Sequence, residues 1–440
     1  MKLNLFINPT GHHQAAWRHP ESQPDAGVNL DHYIALAQLA EAAKVDAIFL
    51  ADNQTVRHGD PEAIGRVAQY VANFEPLTLL SALAAVTRRI GLIATASTTY
   101  NYPFQVARKF ASLDHLSHGR AGWNIVTSAP ISQEHLNFGG APIAQDARYV
   151  RAAEFVEVCR GLWDSWDDDA FPRDVESGIF SDMGKLHVLD HQGKYFSVRG
   201  PLNVPRPPQG YPVHVQAGAS EDGRDFAARY AEMVFVTPQS LGQAQAQYAD
   251  IKQRAAAHGR DPDHIKIMPG LAPVVGRTEA EAQEKFEQLQ SLLTLPVALN
   301  ILSMKLGGMD LSRFDIDRPF PETARPPAGS RPSMEALVDR SLRENLSVRE
   351  LAFKTSGSLA GLSVHGSAAQ IADMMEAWFI EGACDGFNLQ PAVLPGTFRD
   401  MVDLVLPELR RRGLFRSEYE GQTLRENLGL PRPASRYALQ

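Results

Sequence analysis

The stretch RIGLIATASTTYNYPFQVARKFASLDHLSHGRAGWNIVTS, residues 89–128, decides how this chain folds. It opens on a short apolar run, RIGLIATAST (89–98), which reads as a strand. PFQVARKFASLDHLSHG (103–119) follows with helical periodicity and stops at Gly119, the residue type that ends helices most readily. RAGWNIVTS (120–128) is a second strand. Strand, helix, strand in one short stretch is a crossover unit, and crossover units build parallel sheets.

The same unit recurs in both directions. Upstream lie a strand at Leu3–Asn8, a helix over VNLDHYIALAQLAEAAK (28–44) and a strand over DAIFLAD (46–52). PLTLLSALAAVT (76–87) is a helix with proline in its first turn. Downstream, RYVRAAEFVEVCRGLWDSW (148–166) is a long helix with its aromatics on one stripe. PVHVQAG (212–218), EMVFVT (232–237), IKIMPGLAPVVG (265–276) and DGFNLQP (385–391) are strands. Helices over 220–231, about 240–257, 280–293 and 370–383 separate them. Eight strands with helices between them predict a closed (β/α)₈ TIM barrel in preference to an open doubly wound sheet.

Two segments do not fit simple units. Residues 167–211 are rich in Pro, Gly and Asp, and about 294–365 includes DRPFPETARPPAGSRPS; we expect irregular insertions that wall a pocket. The expected organisation is one barrel domain over 1–412 carrying both insertions, then a polar tail at 413–440 that is loose or wraps a neighbouring molecule.

Composition narrows the function. The 440 residues are 44% hydrophobic and 21% charged, with a formal net charge of −8. No block of like charge offers a footprint for nucleic acid or an anionic membrane. No run approaches the roughly 18 apolar residues of a membrane span. The apolar start is shorter than the roughly 7–15 residues of a signal-peptide core. Cys159 and Cys384 are the only cysteines and are far apart, which suits a reduced, cytoplasmic protein.

Barrel chemistry sits at the C-terminal ends of the strands. Those ends carry Asn8, Asp52, Ser97, Thr98, Asn124, Thr127, Gln216, Ser220 and Thr237. Neutral hydroxyls and amides dominate, which suits hydrogen bonding to a large polar heterocycle and not the paired acids of a glycosidase. In QAGASEDG (216–223), Gly218 and Ala219 let a ligand approach the backbone, and Ser220 stands at the start of the next helix. Free N–H groups there favour a phosphate, although serine is also an ordinary helix cap. Glu221 and Asp222 oppose a phosphate unless they point away. No metal motif is present: His12 and His13 are adjacent and point different ways, His115 and His118 suit a helix end, and His187 and His191 lie in an irregular segment.

GHHQAAWRHP (11–20), the 89–128 unit, ARYVRAAEFVEVCRGLWDSW (147–166), residues 191–223 and ACDGFNLQP (383–391) together resemble the bacterial luciferase-like flavin monooxygenases. More narrowly they resemble the branch of nitrilotriacetate, dibenzothiophene-sulfone and long-chain alkane monooxygenases, over about residues 1–410. The resemblance implies a TIM barrel that takes FMN as FMNH₂ from a separate NAD(P)H:FMN reductase. With O₂ it oxidises a small organic substrate through a flavin (hydro)peroxide. It implies Asp52 beside the flavin ring, Thr98 and Asn124 bonded to the flavin, Tyr149 toward the phosphate or ribityl side, and Ala219 and Ser220 at the phosphate. Gln145 stands where many relatives carry a histidine, so this position cannot titrate near neutrality. His13, or His12, is the expected group at the reacting centre, and a homodimer or homotetramer is expected. A deazaflavin-dependent oxidoreductase and a non-catalytic flavin-binding protein are the alternatives on the same fold.

Overall fold

Eight parallel strands close on themselves around one axis in the computed structural model. It describes residues 1–56, 59–69, 71–128, 133–326, 332–357 and 361–438. The strands are β1 (Lys2–Phe6), β2 (Ala47–Leu50), β3 (Gly91–Ser97), β4 (Ala121–Val126), β5 (Val213–Gln216), β6 (Met233–Val236), β7 (Lys266–Gly276) and, after a ninth strand described below, β9 (Gly386–Leu389). Each pairs with the next, and β9 returns to β1 through Lys2–Leu5 against Gly386–Leu389. The predicted barrel is present with all eight strands in place.

Apart from the short helices Pro61–Ile64 and Leu424–Leu428, the helices are α1 (Leu30–Ala42), α2 (Pro76–Val86), α3 (Pro103–Leu116), α4 (Gln145–Trp163), α5 (Glu221–Tyr230), α6 (Leu241–Ala257) and α7 (Glu279–Ser291). α8 (Leu295–Lys305), α9 (Pro332–Arg343), α10 (Val348–Thr355) and α11 (Ala368–Ile380) follow, and α12 (Gly396–Arg411) carries a π-helical turn at Met401–Val405. Buried Leu, Ile, Val and Ala from strands and helices form the main core, with Phe110, Phe155 and Trp163 of the α3–α4 pair packed tilted or edge-on against Trp123 of β4.

The structure corrects the expectation for 294–365. This segment is largely helical, as α8, α9 and α10, around its own core of Leu302, Leu306, Phe320, Val348 and Leu351. Pro- and Gly-rich connectors mask that order in the sequence. Ser347 and Glu350 cap α10 reciprocally, a start signal the sequence carries locally. The segment also supplies the ninth strand, β8 (Leu362–Ser367), parallel to β7 through Leu271–Gly276. β7 therefore serves two partners: its first half belongs to the barrel, and its second half leaves with β8. The 167–211 segment is mostly irregular, with a small hairpin pairing His191–Gln192 with Ser197–Val198.

The tail is also corrected. Residues 413–438 are not loose; they fold back under the N-terminal end of their own barrel. Leu424 and Leu428 are fully buried against a cluster that includes Ala47, Val213 and Met233. Arg416 Nη2 meets the buried Asp46 Oδ1 at 2.7 Å, and Arg425 pairs with Glu232. Burial alone would raise Glu232, but the Arg425 guanidinium outweighs it and brings the carboxyl down to about 2. Among the described residues no helix is long and apolar enough to cross a membrane.

Candidate active site

The C-terminal mouth opens into a cavity of about 260 Å³ that runs from the barrel interior to the loop after β5. Phe6, Phe49 and Phe235 form one wall, with adjacent ring centroids 4.6 Å apart. Asn124, Asn388 and Gln390 face them, and Gly218, Ala219 and Arg224 line the outer end.

Asn124 is fixed by its neighbours. The Thr95 hydroxyl donates to the Leu50 carbonyl at 2.9 Å, so its oxygen accepts from Asn124 Nδ2 at 2.8 Å. A carbonyl cannot donate, so this chain fixes the amide's orientation. Asn124 Oδ1 is left as a buried acceptor without a partner, as are the side-chain oxygens of Asn388 and Gln390. Three buried, unpaired acceptors around one cavity are costly unless a ligand brings donors. The sequence reading missed Asn388 and Gln390; an amide pair inside an otherwise apolar last strand was the available signal.

At the outer end, Ser220 caps α5 and accepts from Gly223 N at 3.2 Å, so the capping role is present. A methyl placed on Gly223 would lie 2.7 Å from Tyr149 Oη and 3.0 Å from both Ser220 Oγ and Gly218 Cα. One placed on Gly218 would lie 2.9 Å from Gly223 Cα. The two glycines thus form a tight backbone cradle on which Tyr149 and Ser220 converge. Glu221 does not oppose an anion there, because Arg224 and Arg254 take its carboxylate. The side chain of Gln145, the first residue of α4, lies outside the described residues.

Thr98 is buried and its hydroxyl donates to Val126 O at 3.1 Å. Asp52 follows β2 at the rim. Burial raises its carboxyl to about 6, and Glu75 and Glu134 push the same way. Glu134 Oε1 accepts from Gln54 N at 3.0 Å, which holds it on this side of the mouth.

His12 and His13 are buried but do not line the main cavity; they line a crevice of about 10 Å³. His12 Nε2 donates to Phe6 O at 3.0 Å, and its ring lies 4.4 Å from that of Phe6. His13 Nδ1 accepts from Ala15 N at 3.2 Å, and its Nε2 faces Gln290 Oε1 at 3.3 Å. Burial lowers both imidazoles to about 4, so both are neutral near pH 7. Trp17 donates to Arg66 O at 2.8 Å and Arg18 to Leu292 O, which ties this loop down.

Among the described residues, no three His, Cys, Asp or Glu side chains converge as a metal site. His187 pairs with Asp167 and His191 with Glu154. Cys159 and Cys384 are buried and free.

A family model described as luciferase-like monooxygenase matches residues 9–384. N-acetyl-S-(2-succino)cysteine monooxygenase of Bacillus subtilis (strain 168) is 49% identical, covering 100% of this chain and 98% of that protein. Nitrilotriacetate monooxygenase component A of Aminobacter aminovorans is 45% identical, again covering 100% and 98%. The crystal structure of riboflavin lyase with modified FMN and substrate riboflavin superposes with a TM-score of 0.85 at 34% identity, covering 98% of this chain and 96% of that one.

Proposed function

The chain belongs to the luciferase-like monooxygenases, and from that premise we propose that it is the oxygenase component of a two-component system. It works on reduced FMN delivered by a separate NAD(P)H:FMN reductase, and on O₂. It oxidises a small organic substrate that bears nitrogen or sulfur. The substrate class follows the names of the two similar enzymes, and the separate reductase follows the word "component" in one of them.

One observation carries the cofactor reading. A single cavity joins Gly218 and Ala219, just before the N-terminus of α5, to a set of buried, unpaired acceptors. A phosphate suits the first end, where free N–H groups and the helix dipole favour an anion. The N–H-bearing edge of a flavin suits the second. When bound, reduced FMN supplies the two electrons that split O₂, one oxygen going to substrate and the other to water.

The chain's own residues do the rest. Ser220 Oγ, the first N–H groups of α5 and Tyr149 Oη hold the phosphate. Asn124 Oδ1, Asn388 and Gln390 accept from the heterocycle and orient it. Thr98 and Ala219 border the same ligand. Phe6, Phe49 and Phe235 keep water off it, which strengthens every polar contact inside. Asp52 holds a proton at its carboxyl in mildly acidic solution and releases it at neutral pH.

The test is anaerobic titration of the purified protein with reduced FMN, followed by turnover with a generic reductase and O₂. Amines and thioethers bearing carboxylates form the first substrate panel. Product formation, with a substrate-dependent fall in peroxide release, is expected. Failure to bind reduced FMN would overturn the reading.

A further inference from the structure

Arg224 carries the only charge among the described residues that line the main cavity. It stands in the first turn of α5, beside Gly218 and Ala219, and its Nη1 donates to Ala219 O at 3.1 Å. A guanidinium so placed is well suited to a phosphate, because its planar fork of donors matches phosphate oxygens. Its other two nitrogens already face carboxylates. Nη2 meets Glu221 Oε2 at 2.5 Å. Nε lies 2.7 Å from Asp250 Oδ2, an ion pair without hydrogen-bond alignment.

Both carboxylates are shared with a second guanidinium. Glu221 Oε1 meets Arg254 Nη2 at 2.6 Å, and Asp250 Oδ1 accepts from Arg254 Nε at 2.8 Å. Arg224, Glu221, Arg254 and Asp250 therefore close a ring of two cations and two anions, with no net charge. Helix geometry builds it. Glu221 and Arg224 are three residues apart on α5, and Asp250 and Arg254 are four apart on α6, so each pair shares a helix face. Gln247 and Ile251 lie on the same stripe of α6 and line the main cavity, so the ring borders the cavity's outer end.

We infer that Glu221 and Asp250 are positioning residues that set the affinity for the flavin. They hold Arg224 in the ring and leave the phosphate to neutral donors, so the cofactor binds and departs with each turnover. The inference rests on the reading that the outer end of the cavity holds the phosphate of reduced FMN. Neutral donors such as Ser220 Oγ and the first N–H groups of α5 make weaker bonds to an anion than a guanidinium does. Two roles of the ring predict opposite signs when it is broken. A ring that only braces α5 against α6 would, once lost, loosen the cradle and weaken FMN binding. A ring that withholds Arg224 would, once lost, strengthen it.

The experiment measures anaerobic dissociation constants of reduced FMN and reduced riboflavin for the whole chain and for the double variant Glu221→Gln, Asp250→Asn. The variant is expected to bind FMN about tenfold more tightly, the scale of one added hydrogen bond to a charged group. Riboflavin has no phosphate, and its dissociation constant is expected to stay the same. The gain in FMN affinity is expected to vanish when the double variant also carries Arg224→Met. If the double variant does not fold, Glu221→Gln alone is expected to gain in the same direction, with the same dependence on Arg224. An FMN constant that is unchanged or weaker in a folded variant overturns the inference. So does a gain that persists beside Arg224→Met, which would assign it to the removed negative charge, and so does an equal gain for riboflavin. Failure of the unaltered protein to bind reduced FMN would sink the cofactor reading and this inference together, whereas normal binding without the gain sinks this inference alone.

Discussion

Ser220 puts two demands on one oxygen: it caps α5, and it faces the place proposed for a phosphate. Ser220→Ala is expected to weaken FMN binding by about 1–2 kcal/mol, the scale of a charge-assisted hydrogen bond. Calorimetric titration checks this, and an unchanged dissociation constant would put the phosphate elsewhere. Gly223→Ala tests the cradle independently, because the added methyl meets Tyr149 Oη at 2.7 Å. A loss of affinity of about tenfold is expected, close to 1.4 kcal/mol. Asp52 makes a pH prediction. Its carboxyl sits at about 6 in the fold against an ordinary 3.8. The folded state therefore holds the proton more tightly than the unfolded one, and stability falls as pH rises from about 4 to 6. Asp52→Asn removes that loss: it is expected to gain about 1–3 kcal/mol at pH 7.5 and nothing at pH 4. Equal gains in urea melts at both pH values would rule out a raised carboxyl. At this scale the places of Ser220, Thr98, Asn124 and Asp52 in the fold were legible, because strands and their ends follow from local pattern. The orientation of Asn124 was not, since it depends on Thr95 and Leu50 from two other strands.

Elements were legible to different depths. α3 and α4 announce themselves by periodicity, and β3 and β4 by apolar runs, because burial on a regular backbone imposes a regular pattern. β8 gave no such signal. Its residues, LSVHGS, are mostly only partly buried, and it sits on one side of β7 outside the closed barrel. The helices of 294–365 were hidden for another reason: many of their apolar residues cover one another, so they form a local cluster between Pro- and Gly-rich connectors. His12 and His13 show the limit of reading a loop. The sequence put them after β1, correctly. Hydrogen bonds to the segment after β9, far along the chain, decide that they face the crevice and not the main cavity.

The whole molecule is closed from below by its own tail. Arg416 neutralises Asp46, a carboxylate with no exposed surface, so removing the guanidinium strands a buried charge. Arg416→Met is expected to cost about 3–5 kcal/mol, measured as a shift of the urea midpoint at constant slope. A shift below about 1 kcal/mol would mean that the tail pair behaves as an exposed surface contact. By itself the sequence determined eight strands, the helices between them, the barrel they imply and the polar residues at the strand ends. Each of those follows from local patterns of apolar and polar side chains and from glycine and proline at fixed places. Only the tertiary structure decided that β7 changes partner halfway, that the tail plugs its own barrel and that three amide oxygens meet unpaired around one cavity. Those outcomes depend on contacts between residues far apart in the chain, whose free energies are set by the space left when the barrel closes.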